Sequence, residues 1–380
     1  MEPRSADEAA RLLRTGAERG QAMRFSGGGT KLGWAAPAGS RSPGVMLSTR
    51  RLDRVIEHNA GDLTAVVEAG LPLARAQDQF AAAGQMLALD PPDSGGATIG
   101  GVVATGDSGP LRARFGSARD LVVGIRVALP DGTLARAGGK VIKNVAGYDL
   151  PKLFTGSFGT LGLIVELSLR LHPRPEATVT AAGGTVDAAT LSRAALALAN
   201  APLEPLALDW RWGGGDGALL ARFGGVAPRR QADAALTLMS NAGLSGTVIE
   251  DDEQVWRAQR EGQRSTDGVA VRVSDLPTRL PALLDVVTRV GGRAVGRAGL
   301  GLAWVRLEER AVTELAGAVR ALREAVAPSP CVVLDRPQGL AEPAWPPLDP
   351  AVATLMGRVR ERFDPAGVCN PGWMEGALAA

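Results

Sequence analysis

Three clusters of small residues are the parts of this chain best suited to chemistry: SGGGTK at 26–31, the run from 94 to 109 within DSGGATIGGVVATGDSG, and GSFGTLG at 156–162. Glycines in series let consecutive backbone N–H groups converge on an anion without side-chain obstruction, so phosphate or diphosphate is the natural ligand. A single cluster of this kind reads most simply as a tight surface turn. Three of them within the first 165 residues point to one elongated ligand with a diphosphate near its middle. Neither familiar nucleotide signature is met. Gly27 to Gly33 never space as GxGxxG, and Gly139-Lys140 is followed by Val141 where a Walker A loop needs Ser or Thr. His58 and His172 are the only histidines, and Cys331 and Cys369 the only cysteines. That inventory excludes HExxH, a disulfide framework and a Cys-only zinc site, and it leaves no triad-like spacing. No metal site is expected.

The elements that must position these loops sit in a chain of 380 residues, long enough for two or three domains. Hydrophobic residues at 45% and charged residues at 22% are the balance of a globular protein with a sizeable core. Lys+Arg 42 against Asp+Glu 40 leaves a net charge of +2 with no basic run, so nucleic acid is not an expected partner. The longest uncharged stretch, 234–249, holds Ser240, Asn241 and Gly243 and is too short and polar for a transmembrane segment. The beginning, MEPRSADEAARLLR, carries acids early and lacks the apolar centre of a signal peptide. A cytoplasmic location is expected.

Ser5 with Glu8 forms a possible capping box opening an amphipathic helix through Leu12, Leu13 and Ala17. Segments 45–48, 52–57, 63–70 and 121–132 are of strand length and rich in branched residues, the last with Asp131-Gly132 as a hairpin turn. Pro72 suits the first turn of a helix that stops at Gly84. The segment 156–175 reads as loop, strand and Pro-rich exit, which places a domain boundary near Pro175. Beyond it the order β-α-β-β-α-β occurs twice, first from Thr178 to Glu250 and then from Val269 to Asp335. These are two ferredoxin-like halves in tandem, alike in architecture rather than in sequence. The segment FDPAGVCNPGW at 363–373 has too many turn formers for a free helix and is expected to dock elsewhere. The reading is an α+β protein with domains at 1–175 and 176–345 and a tail at 346–380.

The motifs RFSGGGTK, AGDLTAVVEAG, PPDSGGATIGGVVATGDSGPLRARFGSARDLVVGIRVALPDG and GGKVIKNVAGYDLPKLFTGSFGTLGLIVELSLRLHP, taken in order, resemble the FAD-binding domain of the vanillyl-alcohol oxidase, or PCMH-type, flavoproteins. The last of them, with FDPAGVCNPGW, is especially similar to the family of FAD-binding E-type subunits of bacterial glycolate oxidase. The resemblance is dense over the N-terminal half and one of layout over the rest. It implies a PCMH-type domain of two α+β subdomains, with Ser26, Gly27, Gly28, Gly29, Thr30 and Lys31 wrapping the FAD diphosphate. Thr98, Ile99, Gly100, Gly101, Gly106 and Ser108 would form a second wall along the diphosphate and the flavin edge. Gly159, Gly162, Ile164 and Val165 would complete the binding set, the last two near the adenine or ribitol end. Turn capping by Thr98 and Ser108, and plain core packing by Ile164 and Val165, are the competing readings.

The chain also departs from its relatives. Lys31 stands where many of them carry a flavin-linking His, and Gly106-Asp107-Ser108 where others carry a Cys, so noncovalent FAD is expected. No His follows His172, so the base of hydroxy-acid-oxidising relatives is missing. Phe158 replaces the acid of GSEGTLG. The catalytic residue is therefore unknown, with Lys143 (beside Asn144) and Tyr148 (beside Asp149) as candidates to stabilise a reduced flavin or to hold a carboxylate. A solvated Lys143 and a core Tyr148 are the plainer readings. His58, His172, Trp256 and Trp304 are read as structural. The resemblance implies glycolate oxidation to glyoxylate through flavin, in a complex with a D-type flavoprotein subunit and an iron–sulfur F-type subunit, at the cytoplasmic side or peripheral at the inner membrane. A self-sufficient 2-hydroxy-acid dehydrogenase and a non-catalytic flavin-binding subunit are the alternatives.

Overall fold

The computed structural model describes residues 1–34, 44–92, 95–140 and 147–373. Helix α1 (Ala6–Glu18) begins at Ser5, whose hydroxyl accepts the N–H of Glu8. The reciprocal half of the capping box is displaced by one residue, because the Glu8 carboxylate takes the N–H of Arg4 instead, at 2.7 Å. Ala9, Ala10 and Leu13 of α1 pack with Met23 and Leu47 of a parallel pair, β1 (Met23–Ser26) and β2 (Val45–Ser48).

A five-stranded antiparallel sheet follows. It is built from β3 (Val55–Asn59), β4 (Thr64–Glu68), β6 (Val122–Ala128), β7 (Leu134–Gly138) and β8 (Leu163–Arg170), in the order β3-β4-β8-β6-β7. Between β4 and β6 run α2 (Leu73–Ala81), β5 (Gln85–Met86), α3 (Ile99–Thr105), α4 (Arg112–Phe115) and α5 (Ala118–Leu121), and α6 (Leu150–Phe154) precedes β8. The β6–β7 hairpin turns at Asp131-Gly132, where Gly132 has a φ of +86° that favours glycine. Strand β8 is central and apolar at five of its eight positions, and it is covered on both faces. Leu163 and Val165 face α1, whereas Ile164, Leu167 and Leu169 join Phe80 of α2 and Val102 and Val103 of α3. A two-residue strand, β9 (His172–Pro173), pairs with β5 and leads out of this part.

The rest of the chain contains both β-α-β-β-α-β units. The first is β10 (Thr178–Thr185), α7 (Ala188–Ala199), β11 (Ala207–Gly213), β12 (Asp216–Gly224), α8 (Pro228–Asn241) and β13 (Ser245–Ile249). After α9 (Glu253–Glu261) comes the second: β14 (Val269–Ser274), α10 (Leu280–Arg289), β15 (Arg293–Arg297), β16 (Leu302–Leu307), α11 (Val312–Val326) and β17 (Cys331–Asp335). The halves are fused. Their eight strands form one sheet, β13-β10-β12-β11-β15-β16-β14-β17, joined by the antiparallel pairing of β11 with β15. Each half runs outward from that seam in the same order, so the sheet has an approximate two-fold arrangement.

Period-2 alternation gives this sheet two different faces. Leu208, Trp210, Val271 and Val305 point into a core closed by α7, α8, α10 and α11. Their neighbours Asp209, Arg272, Arg297 and Trp304 lie on the other face, which meets α9 and the glycine-rich loops. Helix α12 (Pro350–Phe363) then returns the chain to the N-terminal part. There Met23 donates its N–H to Val368 O at 2.8 Å and Asn370 donates to Met23 O at 2.9 Å. Among the described residues no helix is long and apolar enough to cross a membrane.

Candidate functional site

A cleft of about 780 Å³, part of it open to solvent, lies between the loop after β1, the start of α3, the approach to β8 and the returning tail. Ser26, Gly27, Gly28, Gly29, Thr30 and Lys31 line it, as do Thr98, Gly100 and Gly101, and Gly159, Gly162 and Ile164. All three clusters therefore meet at one place. Among the described residues, the backbone N–H groups of Gly27, Gly28, Gly29, Thr30 and Lys31 find no acceptor in the protein. A row of unpaired donors on a glycine loop suits an anion with several oxygens. The apolar walls at Phe25, Ile164 and Trp373 suit flat ring systems at either end of it. The cleft thus fits a dinucleotide such as FAD.

The glycines also serve a second purpose, because the loops touch each other. A Cβ on Gly28 would come within 1.6 Å of Gly96 O, and one on Gly27 within 2.0 Å of Thr98 Oγ1. Thr98 caps α3 by accepting the N–H of Gly101 at 3.3 Å, which leaves its own O–H free to donate. Gly100 packs against the end of β4, where a Cβ would meet Ala69 O at 2.7 Å.

Several expected residues lie elsewhere. Ile99 is fully buried with the α2 and α3 core, and Val165 faces α1. Gly106 ends α3 in a left-handed conformation, φ +62°. Ser108 is buried and turned away from the cleft: its Oγ accepts from Arg112 and its carbonyl accepts from Gln263 at 3.0 Å. Lys143 and Asn144 lie outside the described residues. Tyr148 is 90% exposed and lines no part of the cleft, so its side chain is neither in a core nor at the site. Asp149 caps α6. The histidines are also remote: His58 pairs with Gln85, and His172 packs against Phe115.

The tail supplies what the glycine motifs did not announce. Asn370 Oδ1 accepts the N–H of Phe25 at 2.8 Å, while its Nδ2 donates to Phe158 O at 2.6 Å. One amide thus holds the first and third loops together. Phe158 takes the acid's place with a left-handed φ of +53° and stacks edge-on against Trp345. The phrase CNPG, in a run of turn formers, was the available signal for Asn370.

Charges behind the cleft are mostly spent on one another. Lys31 Nζ stands 3.2 Å from Asp107 Oδ2, a buried ion pair without the angle of a hydrogen bond. Burial pushes the Asp107 carboxyl up and Lys31 pulls it back. Arg264 grips Asp335 with both ends of its guanidinium, at 2.8 and 3.0 Å, and also donates to Thr30 O at 3.3 Å. Deeper still, Arg297 pairs with Asp209 at 2.5 Å with both side chains fully buried. The same guanidinium donates to Gly109 O at 3.1 Å and to Gln263 Oε1. These bonds seat the eight-stranded sheet on the second glycine stretch. Cys331 and Cys369 are both buried and free, burial pushing the Cys331 thiol up to about 11. No group of three or more metal-ligating side chains occurs among the described residues.

With this geometry in place, the likenesses to known proteins are informative. Residues 1–138 match the family described as FAD binding domain. The chain is 30% identical over 346 residues to glycolate oxidase subunit GlcE of Escherichia coli (strain K12), covering 88% of both chains. It is 36% identical over 193 residues to glycolate oxidase subunit GlcD of Bacillus subtilis (strain 168), which spans 49% of this chain and 40% of that one. A solved structure of alkyldihydroxyacetonephosphate synthase shares the fold over 98% of this chain and 75% of its own, with a TM-score of 0.74 at 16% identity.

Proposed function

Since this chain belongs to the family of FAD-binding, E-type subunits of bacterial glycolate oxidase, and so to the FAD-dependent oxidoreductases acting on CH–OH groups, we propose that it works inside a multi-subunit complex that oxidises glycolate to glyoxylate and hands the electrons to a further carrier. The observation that carries this reading is the row of unpaired N–H groups from Gly27 to Lys31, facing a cleft that the second and third loops complete. FAD bound there supplies a two-electron acceptor next to the alcohol carbon of a hydroxy acid.

The chain's own residues hold, orient and shield. The amides of 27–31 take the diphosphate charge, and Thr98 adds a hydroxyl donor. Phe158 and Trp373 exclude water from one end, and Asn370 keeps the loops at their spacing. Lys31 sets a positive charge in the wall, with Asp107 fixing its direction. Among the described residues lining the cleft, Lys31 is the one titratable side chain, and it is already paired. Removal of the hydroxyl proton is therefore assigned to a D-type flavoprotein partner, and onward electron transfer to an iron–sulfur F-type partner. Contact with the cytoplasmic face of the inner membrane is made through that complex.

Two measurements test the reading. Acid or heat denaturation releases free flavin into the supernatant, because Lys31 occupies the place of the flavin-linking histidine; flavin that stays with the precipitate contradicts noncovalent binding. Glycolate bleaches the flavin rapidly in the reconstituted complex and only slowly in this chain alone. Rapid bleaching in the isolated chain makes it a self-sufficient dehydrogenase instead.

A further inference from the structure

Each free amide of the 26–31 loop is one half of a peptide group, and the other half is held from outside the cleft. In a planar trans peptide the carbonyl of one residue and the N–H of the next point in opposite directions, so whatever holds the carbonyl aims the N–H. Ser26 O accepts the N–H of Thr49 at 2.8 Å, and Gly29 O accepts that of Leu32 at 3.5 Å. The remaining three carbonyls are taken by arginines. Arg50 donates to Gly27 O at 3.3 Å and to Gly28 O at 3.2 Å, and Arg264 donates to Thr30 O at 3.3 Å. Gly27 O also takes the Ser26 hydroxyl at 3.3 Å, whereas Gly28 O has Arg50 alone among the described residues. Neither arginine lines the cleft. Every amide from Gly27 to Lys31 thus belongs to a peptide whose carbonyl is anchored away from the ligand.

Strand register brings Arg50 to this place. β1 and β2 run parallel with Ser26 beside Ser48, so Gly28 and Arg50 each lie two residues past the end of the pair. There the chain turns, Leu52 donating to Thr49 O at 2.8 Å, and the Arg50 side chain stays exposed on the outer side of the loop. Its neighbour Arg51 pairs with Glu2 at 3.2 Å, but Arg50 forms no ion pair with any described residue, so its charge is uncompensated. Glycines let these peptides rotate either way, Gly29 resting at a φ of +82°, and a rotated peptide would turn its carbonyl oxygen toward the anion. We propose that Arg50 is a positioning residue for the cofactor diphosphate, acting through the Gly27 and Gly28 carbonyls to aim the Gly28 and Gly29 amides. A cation on the carbonyl side also polarises both peptides and strengthens their N–H groups as donors. The planar fork spans two successive carbonyls, which a single ammonium does less well. The proposal rests on the reading above for the identity of the ligand; the geometry itself asks only for a diphosphate.

The test is titration of the flavin-free protein with FAD, followed by flavin fluorescence. Arg50→Met weakens FAD by roughly 5- to 20-fold, the range expected for about one hydrogen bond to a charged group on a solvent-facing side. Arg50→Gln takes its place should the methionine variant fail to fold, as read by circular dichroism. Arg50→Lys keeps the charge without the fork and recovers part of the loss. Added salt weakens FAD less steeply in Arg50→Met than in the wild type. Arg51→Met leaves FAD affinity unchanged. Full affinity in the folded Arg50→Met or Arg50→Gln variant overturns the proposal, as does a loss that lysine does not reduce, which marks plain damage to the loop. A wild type that takes no FAD refutes the flavoprotein reading by itself. Calorimetric titration with ADP, which carries the same diphosphate, then decides the role of Arg50: weaker ADP binding in Arg50→Met upholds it, and ADP unbound or bound equally overturns it.

Discussion

The Gly28→Asp variant is purified without FAD. Two effects act in the same direction. The new Cβ would lie 1.6 Å from Gly96 O and 2.6 Å from the carbonyl carbon, both backbone atoms that no rotamer change can move aside. The first loop must therefore retreat from the second, opening the spacing between the two sides of the cleft. The carboxylate also places a negative charge where unpaired amides await a diphosphate. Like charges about 4 Å apart repel by about 4 kcal/mol near a protein surface, a factor of several hundred or more in affinity. The fold persists, because the α1–β1–β2 core and the central strand β8 are formed by other residues. Gly27→Ala is a graded control: its Cβ would meet the Thr98 side chain, which can turn, so FAD is weakened rather than lost. Flavin absorbance per mole of protein reads both. Full occupancy in Gly28→Asp rules out the 26–31 loop as the cradle.

The second large effect is on stability. Arg297→Met leaves the fully buried Asp209 carboxylate without its cation and frees Gly109 O and Gln263 Oε1. Breaking a buried pair from one side costs about 3–5 kcal/mol, whereas replacing both partners by apolar groups is often nearly neutral. Arg297→Met is therefore strongly destabilised in urea titration, and the double change Arg297→Met with Asp209→Leu recovers most of the loss. A double variant as unstable as the single one means that the sheet-to-loop hydrogen bonds, rather than the stranded charge, dominate. The neighbouring Asp90 extends the argument to pH. Burial first and foremost raises its carboxyl to about 7, against the pull of Arg297 and Arg260. A raised carboxylate holds its proton in the folded protein after the unfolded chain has lost it. Its contribution is complete below about pH 4 and falls away as pH rises through about 7. Asp90→Asn accordingly flattens the decline in unfolding free energy between mildly acidic and mildly alkaline buffer.

The glycine clusters and the two β-α-β-β-α-β runs were legible because both are local patterns: spacing of small residues in one case, alternation and length in the other. The fusion of the two halves was not, since it depends on β11 finding β15 more than eighty residues later. Asp209, Arg272 and Arg297 are the polar members of alternating strands, positions that ordinarily face solvent. They are covered instead by the glycine loops, a fact of tertiary packing that no strand announces. Helix α9 escaped notice because Trp256 is the one large apolar residue it buries, its other inward side chain being Gln259. Lys31 was legible as a resident of the cleft but not as the partner of Asp107, because both readings need only a cation at that point. Val165 and Ser108 belong to the motifs, yet neither lines the cleft. Alternation along β8 turns Val165 to the far side, and Gln263 claims the Ser108 carbonyl.

The wall contributed by Asn370 and Trp373 bears on how the protein is made in the cell. These residues are translated after every other part of the cleft, and chains acquire structure from the N-terminal end as they emerge. The glycine loops, the central strand and the eight-stranded sheet can all take shape on the ribosome while one side of the cavity is still missing. Cofactor loading is thereby deferred until synthesis has passed residue 373, and nascent chains arrested before it hold no flavin. A chain cut short of that point is expected to be colourless, so that retention of the pigment reports that the chain was read through.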